Sequence, residues 1–284
     1  MRYHCKKLFG FFILGFLCLH VAQADSVPIA GATSQNGTIT QGGLVTLTLP
    51  KGASATLDET PLMISAHGHI AFGFHRDDEA TQQLIITTED GTRHHTALTP
   101  SARSYKTQSI TGLAGKYVTP PQETLARIAA DREAVIAARN HQTVQDDFIT
   151  GGFDWPLIGT ITGIYGSQRI LNGKPRAPHY GIDIAAPKGT PVTAPADGII
   201  TMAHDLYYTG GTIIIDHGLM VSSTLLHLET MAVEEGDRVT RAMVIGTVGS
   251  TGRSTGPHLD WRINWGAKRL DPQLAVTSPH EHEQ

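Results

Sequence analysis

The chain has 284 residues, of which 40% are hydrophobic, 17% charged and only 6% aromatic, and it contains 30 glycines. This composition excludes an intrinsically disordered protein and indicates a folded, turn-rich, β-rich chain with room for two modest domains. The formal net charge of −4 at pH 7 offers no basic surplus, so we expect no nucleic-acid binding.

Residues 1–24 have the pattern of a cleavable export signal. Three basic residues precede an apolar run over residues 8–21, and Ala22-Gln23-Ala24 then offers a small-x-small cleavage site. The alternative is an uncleaved membrane anchor, but the run is shorter than the roughly 20 residues that a span requires. We therefore expect a periplasmic or secreted protein with no membrane span after cleavage.

Both cysteines, Cys5 and Cys18, lie inside this signal. The mature chain therefore has no disulfide framework and no thiol that could serve as a nucleophile or metal ligand. Loss of the signal removes three basic residues and no acidic ones, which takes the formal charge from −4 to −7. Any metal in the mature chain must be held by histidines and carboxylates.

Residues 25–107 are predicted to form a small antiparallel β domain. Val45, Leu47 and Leu49 alternate with threonines, which is the period of a half-buried strand. Asp90-Gly91 lies between two short runs that read as strands and predicts a hairpin turn.

Residues 108–150 are predicted to be a linker built around one helix. Thr119 has the position of an N-cap, Pro120 suits the first helical position, and Gln122 completes a capping box. Apolar residues then recur at helical spacing to about Asn140.

Residues 151–276 return to short strands separated by glycine and proline, with no stretch of helical period. A polar tail over residues 277–284 is expected to be frayed. The predicted fold class is all-β, with a C-terminal antiparallel β-sheet domain that carries a groove, preceded by the small β domain and the connector helix.

The predicted strand from Leu259 to Trp265, extended back to His258, alternates polar and apolar residues. Its apolar residues pack into the core, which turns His258 and Asp260 together to the opposite face. Residues two apart on a strand are roughly 7 Å apart at Cα, so both side chains can converge on one ion, or on an ion and its water. The alternative is the exposed polar face of an ordinary strand.

His179 and Asp183 form a second pair. In a straight strand they would lie roughly 13 Å apart. The surrounding prolines and glycines argue against a helix, so a bend at Gly181 is the route that would bring them together. Histidine and aspartate are suitable Zn²⁺ ligands, and two unrelated polar residues are the alternative. His227, between leucines on a predicted buried strand, is by itself more typical of a core residue.

Together these pieces fit a metallohydrolase, in which three protein ligands leave one position open and nearby imidazoles move protons. From about Trp155 to Leu274, about two-fifths of the chain, the sequence resembles the lysostaphin/LytM-type zinc metallopeptidases. The region ahead of it resembles, more weakly, an accessory region of some proteobacterial members. The matching segments are His179–Pro187, Gly189–Val192, Ala194–Gly198, Ile214–Gly218, Gly236–Val239, Gly246–Leu259 and Asp271-Pro272.

The resemblance implies hydrolysis of peptide cross-links in peptidoglycan, with the stem peptides as substrate and one catalytic Zn²⁺. The family's HxxxD pair maps onto His179 and Asp183 as zinc ligands, and the second residue of its terminal HxH maps onto Asp260 as the third. The first residue of that HxH maps onto His258. It assists catalysis together with the mid-domain histidine, which maps onto His227.

Asp260 stands where the family has histidine. Aspartate also binds zinc, so the site is altered rather than erased. Zn²⁺ with two carboxylates and one neutral imidazole sums to zero charge, against +1 for the usual set, and such a centre should acidify water less. The alternative is an exchange in which His258 binds the metal and Asp260 orients it.

Other histidines are interpreted as structural. His217, in the Asp216-His217-Gly218 turn, is a fold feature of the family and is not expected to bind metal. His67-Gly68-His69 has no evident partner and is interpreted as a polar strand edge, and His94-His95 as surface residues.

Of three functions that the sequence allows, the first is favoured, because four of the five mapped site residues match the family and the fifth can still bind metal. The first is an exported endopeptidase that cuts peptidoglycan. The second is a catalytically silent module of the same fold that binds cell wall or regulates another wall hydrolase. The third is a peptidase of soluble proteins.

Overall fold

The computed structural model describes residues 28–112 and 114–278, so the predicted export signal and the last six residues lie outside the description. The first part of the chain is built from eight short strands. They are β1 (Ser34–Gly37), β2 (Leu44–Thr48), β3 (Ser54–Leu57), β4 (Thr60–Pro61), β5 (His69–Gly73), β6 (Gln82–Thr87), β7 (Arg93–Leu98) and β8 (Thr107–Ile110).

The first seven strands form two antiparallel sheets, ordered β1-β2-β5 and β4-β3-β6-β7. The hairpin predicted at Asp90-Gly91 is confirmed, because β6 and β7 pair antiparallel around it with Thr87 opposite Arg93. The alternating apolar residues of these strands enclose one small core, whose members include Val45, Leu47, Ile70, Phe72, Leu84 and Ile86.

Three helices follow: α1 (Gly115–Val118), α2 (Leu125–Arg139) and α3 (Asp147–Gly151). The predicted capping box at Thr119 is wrong, because α2 begins only after a 3-10 turn over Gln122–Thr124. Pro121 disfavours helical backbone at the residue before it, so the helix cannot start at Pro120. No helix in the described ranges is long and apolar enough to cross a membrane.

The remaining strands form the second β region. They are β9 (Thr160–Gly163), β10 (Gln168–Leu171), β11 (Lys174–Pro175), β12 (Ile182–Ala185), β13 (Pro191–Thr193), β14 (Gly198–Leu206), β15 (Gly210–Gly218), β16 (Val221–Met231), β17 (Arg238–Val239), β18 (Val244–Val248), β19 (His258–Trp265) and β20 (Lys268–Leu270). A 3-10 turn over Pro272–Leu274 follows the last strand.

Ten of these strands form one antiparallel sheet, with the order β17-β14-β15-β16-β19-β12-β9 and with β13, β18 and β20 paired beside that path. Its core includes Ile182, Ile184, Ile213, Leu225, Leu259 and Trp261, all fully buried. The order places β12, β19 and β16 side by side, so the three strands that carry the predicted site residues are immediate neighbours.

The predicted linker contributes to the sheets as well as to the helices. Strand β8 overlaps its start and pairs in parallel with β10, with Thr107 opposite Gln168 and Ile110 opposite Leu171. The tail predicted from residue 277 is also partly fixed, since Thr277 N–H donates to the Phe153 carbonyl and the Trp155 indole donates to the Ser278 carbonyl.

His217 ties two strands together inside the core. Its side chain is fully buried, Nδ1 donates to the Asp197 carbonyl at 2.7 Å, and Nε2 accepts from the Ser223 hydroxyl at 2.8 Å. Burial lowers the pKa of His217 to about 4, so the ring is neutral at pH 7. This is the structural role that the sequence indicated for it.

We predict that His217 makes the stability of the fold sensitive to acid. Its folded pKa of about 4 lies below the ordinary value of 6.5, so its stabilising contribution is complete above pH 6.5 and is lost as the pH falls towards 4. The loss amounts to about 3 kcal/mol from this residue. Urea unfolding at pH 7 and pH 4.5 measures it, with His217→Gln as the comparison. Equal pH dependence in the wild type and His217→Gln would contradict the assignment.

Candidate metal centre

Two predicted ligands lie directly opposite each other on neighbouring strands. Asp183 on β12 pairs in register with Asp260 on β19, and both side chains are buried. Opposed like charges on adjacent strands are destabilising, and burial increases the cost. The pair therefore requires positive charge close by.

His179 supplies the third donor from just outside β12. Its Nε2 atom is 3.1 Å from Asp183 Oδ1 and 3.4 Å from Asp260 Oδ2. The backbone around it is held by the turn before β10, because His179 N–H donates to the Ser167 carbonyl and Gly166 N–H donates to the His179 carbonyl. These bonds keep the imidazole over the two carboxylates.

The three side chains each direct one donor atom towards a common point. His179, Asp183 and Asp260 each offer an atom within 4.8 Å of the other two. Among the described residues, neither His179 Nε2 nor Asp183 Oδ1 has a partner with hydrogen-bond geometry, although both are buried. Buried polar atoms left in this way are uncommon, and one imidazole with two carboxylates is a donor set that suits Zn²⁺.

Two glycines leave room for the carboxylates. A Cβ atom on Gly163 would lie 2.2 Å from Asp183 Oδ2, and one on Gly181 would lie 2.5 Å from Asp260 Oδ1. The bend predicted at Gly181 is confirmed, and it is made without a positive φ. Because Gly181 has no side chain, the Asp260 carboxylate can approach its backbone closely. The chain departs from the strand direction between His179 and Ile182.

Two arginines neutralise the two carboxylates. Arg262 donates to Asp260 twice, from Nε to Oδ1 at 2.9 Å and from Nη2 to Oδ2 at 2.5 Å. Arg169 donates to Asp183 Oδ2 at 2.5 Å. Arg262 therefore offsets the negative charge of Asp260, the carboxylate that stands where the resembled family has histidine.

The pKa values follow from this arrangement. Burial favours the neutral forms of both acids, but Arg262 and then His179 hold the pKa of Asp260 well below its ordinary value. The pKa of Asp183 is also lowered against burial, by His179 and Arg169. Burial opposes protonation of His179, yet the two carboxylates outweigh it and raise its pKa. Both acids are therefore anionic at neutral pH and present full charge to a cation.

His227 lies at a bulge in β16. Leu226 and His227 together stand opposite the single residue Thr212 of β15, between the pairs Gly211–Leu228 and Ile213–Leu225. Its φ of +66° is left-handed, a region that few non-glycine residues adopt. Backbone strain of this kind clusters at functional sites, and here it turns the imidazole of a buried strand towards His258.

His227 and His258 lie side by side, with ring centroids 4.8 Å apart. Each donates from Nδ1 at 2.8 Å to a carbonyl, His227 to Thr251 and His258 to Gly256. Because a carbonyl only accepts, both neutral rings keep Nε2 unprotonated. Burial, followed by the neighbouring His258, lowers the pKa of His227 to about 4.

The five residues named from the sequence are thus brought into one region. His258 Nε2 lies 3.8 Å from Asp183 Oδ1, which joins the imidazole pair to the three-donor cluster. Asp260 contacts Arg262 and His179 and makes no hydrogen bond to His258 within the described chain. This contact pattern favours direct ligation by Asp260 over the exchanged arrangement.

The alternative of an ordinary exposed face for β19 does not hold, since Asp260 and Asn264 are buried and His258 and Arg262 are partly buried. One expectation from sequence is wrong. The His67-Gly68-His69 motif does have a partner, because both imidazoles contact Asp146. Asp146 lies 77 residues after His69, and no local spacing pointed to it.

The model of Peptidase family M23 matches residues 177–272. Peptidoglycan DD-endopeptidase ShyA of Vibrio cholerae is 42% identical over 87 residues, 31% of this chain and 20% of that protein. DD-carboxypeptidase/endopeptidase Mpg of Neisseria meningitidis is 43% identical over 102 residues, 36% of this chain and 24% of that protein. The chain therefore spans about a fifth to a quarter of the length of these relatives.

A solved structure extends the likeness beyond the matched segment. A crystal structure from Pseudomonas aeruginosa that is assigned to peptidase M23 superposes with a TM-score of 0.63 at 25% identity. The superposition covers 84% of this chain and 94% of that chain, so it takes in N-terminal strands as well as the ten-stranded sheet.

We predict that replacing Arg262 and Asp260 together lowers the free energy of unfolding less than replacing Arg262 alone. Arg262→Leu leaves a fully buried carboxylate unpaired and should lower the free energy of unfolding by about 3 kcal/mol in metal-free protein, because breaking a buried pair is costly. Breaking a buried ion pair costs roughly 3–5 kcal/mol, and the 22% exposure of Arg262 favours the lower end of that range. Asp260→Leu combined with Arg262→Leu should lose markedly less. Denaturant unfolding in the presence of a chelator measures both, and additive losses would refute the coupling.

Proposed function

Since residues 177–272 form a peptidase M23 domain, we propose that the protein is an exported zinc metalloendopeptidase that hydrolyses peptide cross-links of peptidoglycan. The observation that carries the proposal is the convergence of His179, Asp183 and Asp260, with the His227–His258 pair beside them. The predicted signal over residues 1–24 supports export to the periplasm or beyond.

In this proposal His179, Asp183 and Asp260 hold one Zn²⁺. A bound zinc supplies a Lewis acid that polarises the scissile carbonyl and makes water a stronger nucleophile at neutral pH. The chain contributes the placement of the three donors, and Arg169 and Arg262 fix the carboxylates from behind. Such supporting contacts orient ligands and keep the cavity shaped before substrate arrives.

His258 and His227 divide the proton transfers. Each has its Nδ1 proton committed to a backbone carbonyl, so Nε2 is the atom available to accept a proton from attacking water or to return one to the leaving amine. His258 is the more accessible of the two, with a side chain 16% exposed, and is assigned the general-base role. His227 stays neutral at pH 7 because its pKa is lowered to about 4, so its unprotonated Nε2 can accept a hydrogen bond or a proton beside His258.

A group of arginines supports an anionic substrate. Burial, and then the charges of Arg262, Arg169 and Arg176, lower the pKa of Arg253, although Arg262 and Arg169 are themselves paired with Asp260 and Asp183. Arg253 also lies over the Tyr208 ring at 4.9 Å. An electropositive surrounding attracts carboxylates, and stem peptides carry free ones. It gives a reason to favour peptidoglycan over soluble proteins as substrate.

One observation favours the silent module as a second candidate. Both oxygens of Asp260 already accept hydrogen bonds from Arg262. A carboxylate shared in this way binds metal only through its remaining lone pairs, so Arg262 could make the centre weak. Metal content and activity of one preparation separate the two candidates.

We predict that purified protein releases muropeptides from sacculi and that His179→Ala reduces the release to the background seen with chelator. The reason is that this substitution removes the only neutral donor of the three. His95→Ala is the matched control, since His95 is an exposed histidine on β7. Chromatography of the soluble products measures release, and mass spectrometry identifies the bond that is cut.

The same experiment can contradict the assignment. Release that survives both His179→Ala and chelation would refute it. Protein that binds zinc stoichiometrically, yet releases nothing from sacculi, would leave the silent module as the function.

We further predict that Asp260→His, which restores the family's usual residue, reduces activity more than tenfold when introduced alone. It removes the partner of Arg262 and leaves a buried guanidinium beside the metal. Asp260→His combined with Arg262→Gln should recover activity, because the second change removes that charge. Zinc affinity and sacculus digestion are measured for both variants. Higher activity in the single variant than in the double one would show that Arg262 does not govern the centre.

A further inference from the structure

A second cluster of metal-binding side chains lies away from the proposed catalytic centre. We propose that His67, His69 and Asp146 form a site for one divalent cation of the zinc class, which ties the N-terminal β region to the segment that enters the ten-stranded sheet. His69 is the first residue of β5, His67 lies two residues before it, and Asp146 immediately precedes α3.

The donor atoms of this cluster already have the spacing of a ligand set. Asp146 Oδ2 is 3.0 Å from His67 Nδ1 and 2.8 Å from His69 Nδ1, and all three donors lie within 4.8 Å of one another. Two ligands at 2.0–2.2 Å from a tetrahedral ion stand about 3.3 Å apart. Small movements of the side chains would therefore accommodate an ion.

The backbone of the two histidines is fixed before any ion arrives. Ser65 Oγ accepts the N–H groups of His67 and His69 at 3.2 and 3.0 Å, and Ser65 N–H donates to the His69 carbonyl at 2.9 Å. Gly68, with φ of +80°, makes the tight turn between them. Both rings consequently present the same atom, Nδ1, to the same carboxylate.

Asp146 is oriented towards the histidines and away from its own helix. It occupies the N-cap position of α3, where aspartate usually accepts a backbone N–H, yet its side chain makes no capping hydrogen bond. The carboxylate is buried, with a side chain 11% exposed, and is directed at the two imidazoles. The Asp146 carboxylate therefore contacts the two histidines instead of capping α3.

The exposures of the three side chains indicate how an ion would enter. His69 and Asp146 are largely buried, whereas the His67 side chain is 74% exposed. Two neutral imidazoles and one carboxylate give a bound dication a net charge of +1, and the solvent side leaves a fourth position for water. Such a site stabilises the fold by binding the native state alone.

The competing explanation is that two Nδ1–H groups simply donate to Asp146. Metal titration of the chelator-treated, untagged protein decides between them, with Zn²⁺ for stoichiometry and Co²⁺ for its absorption spectrum. We expect the wild type to bind two equivalents of metal, and His179→Ala and His67→Ala to bind one equivalent each. The variant that combines these two changes should bind none. His67→Ala is the preferred probe because the His67 side chain is 74% exposed, so its removal changes little of the packed interior.

Two controls make the result specific to this cluster. His280→Ala with His282→Ala tests for adventitious metal binding by histidines of the C-terminal tail, and His95→Ala removes an exposed histidine on β7. Both should leave the metal stoichiometry unchanged. In the His179→Ala background, saturating Zn²⁺ should raise the melting temperature, and adding Asp146→Asn should abolish that shift.

The outcomes are distinguishable from those for the catalytic centre. If the wild type binds one equivalent that His67→Ala removes and His179→Ala does not, this proposal stands and the catalytic zinc fails. If the wild type keeps its full stoichiometry in His67→Ala and Asp146→Asn, the cluster is a hydrogen-bonded contact and the proposal is wrong.

Discussion

Two buried carboxylates facing each other across neighbouring strands set the conditions for the rest of the C-terminal sheet. Asp183 and Asp260 repel each other in a region that water cannot screen, so the sheet holds them only with cations at contact distance. Arg169 and Arg262 meet part of that requirement, and His179 faces the side that remains. The same repulsion that destabilises the fold would be relieved by a cation held between the two carboxylates and His179.

Sequence patterns predicted the parts of this arrangement that depend on local chemistry. The alternation in β19 correctly separated His258 and Asp260 from the core residues Leu259 and Trp261, because side chains on a strand alternate between its two faces. The site residues followed from resemblance to a family, since a histidine such as His227 has no local pattern that distinguishes it from a core residue. Its left-handed backbone appears only in the folded chain.

Other features could be predicted only in part. Arg262 stands two residues after Asp260, so its place on the same face of β19 was readable from the sequence, although its pairing depends on burial of that face. Asp146 offered no signal, because its partners are separated from it by most of the N-terminal strands and the helix. The capping pattern at Thr119 placed the start of α2 too early, because Pro121 disfavours helical backbone at Pro120 and delays the helix to Leu125.

The parallel pairing of β8 with β10 bears on how this protein can be divided. Trp265 packs against the N-terminal core, and Leu44 and Ala71 join the core of the larger sheet, so the two apolar interiors share residues. A fragment cut near residue 151 would carry β10 with one edge uncovered and an apolar flank open to solvent. The region ahead of residue 151 therefore packs with the ten-stranded sheet as one unit, and an evolutionary exchange of that region would have to preserve the shared interface.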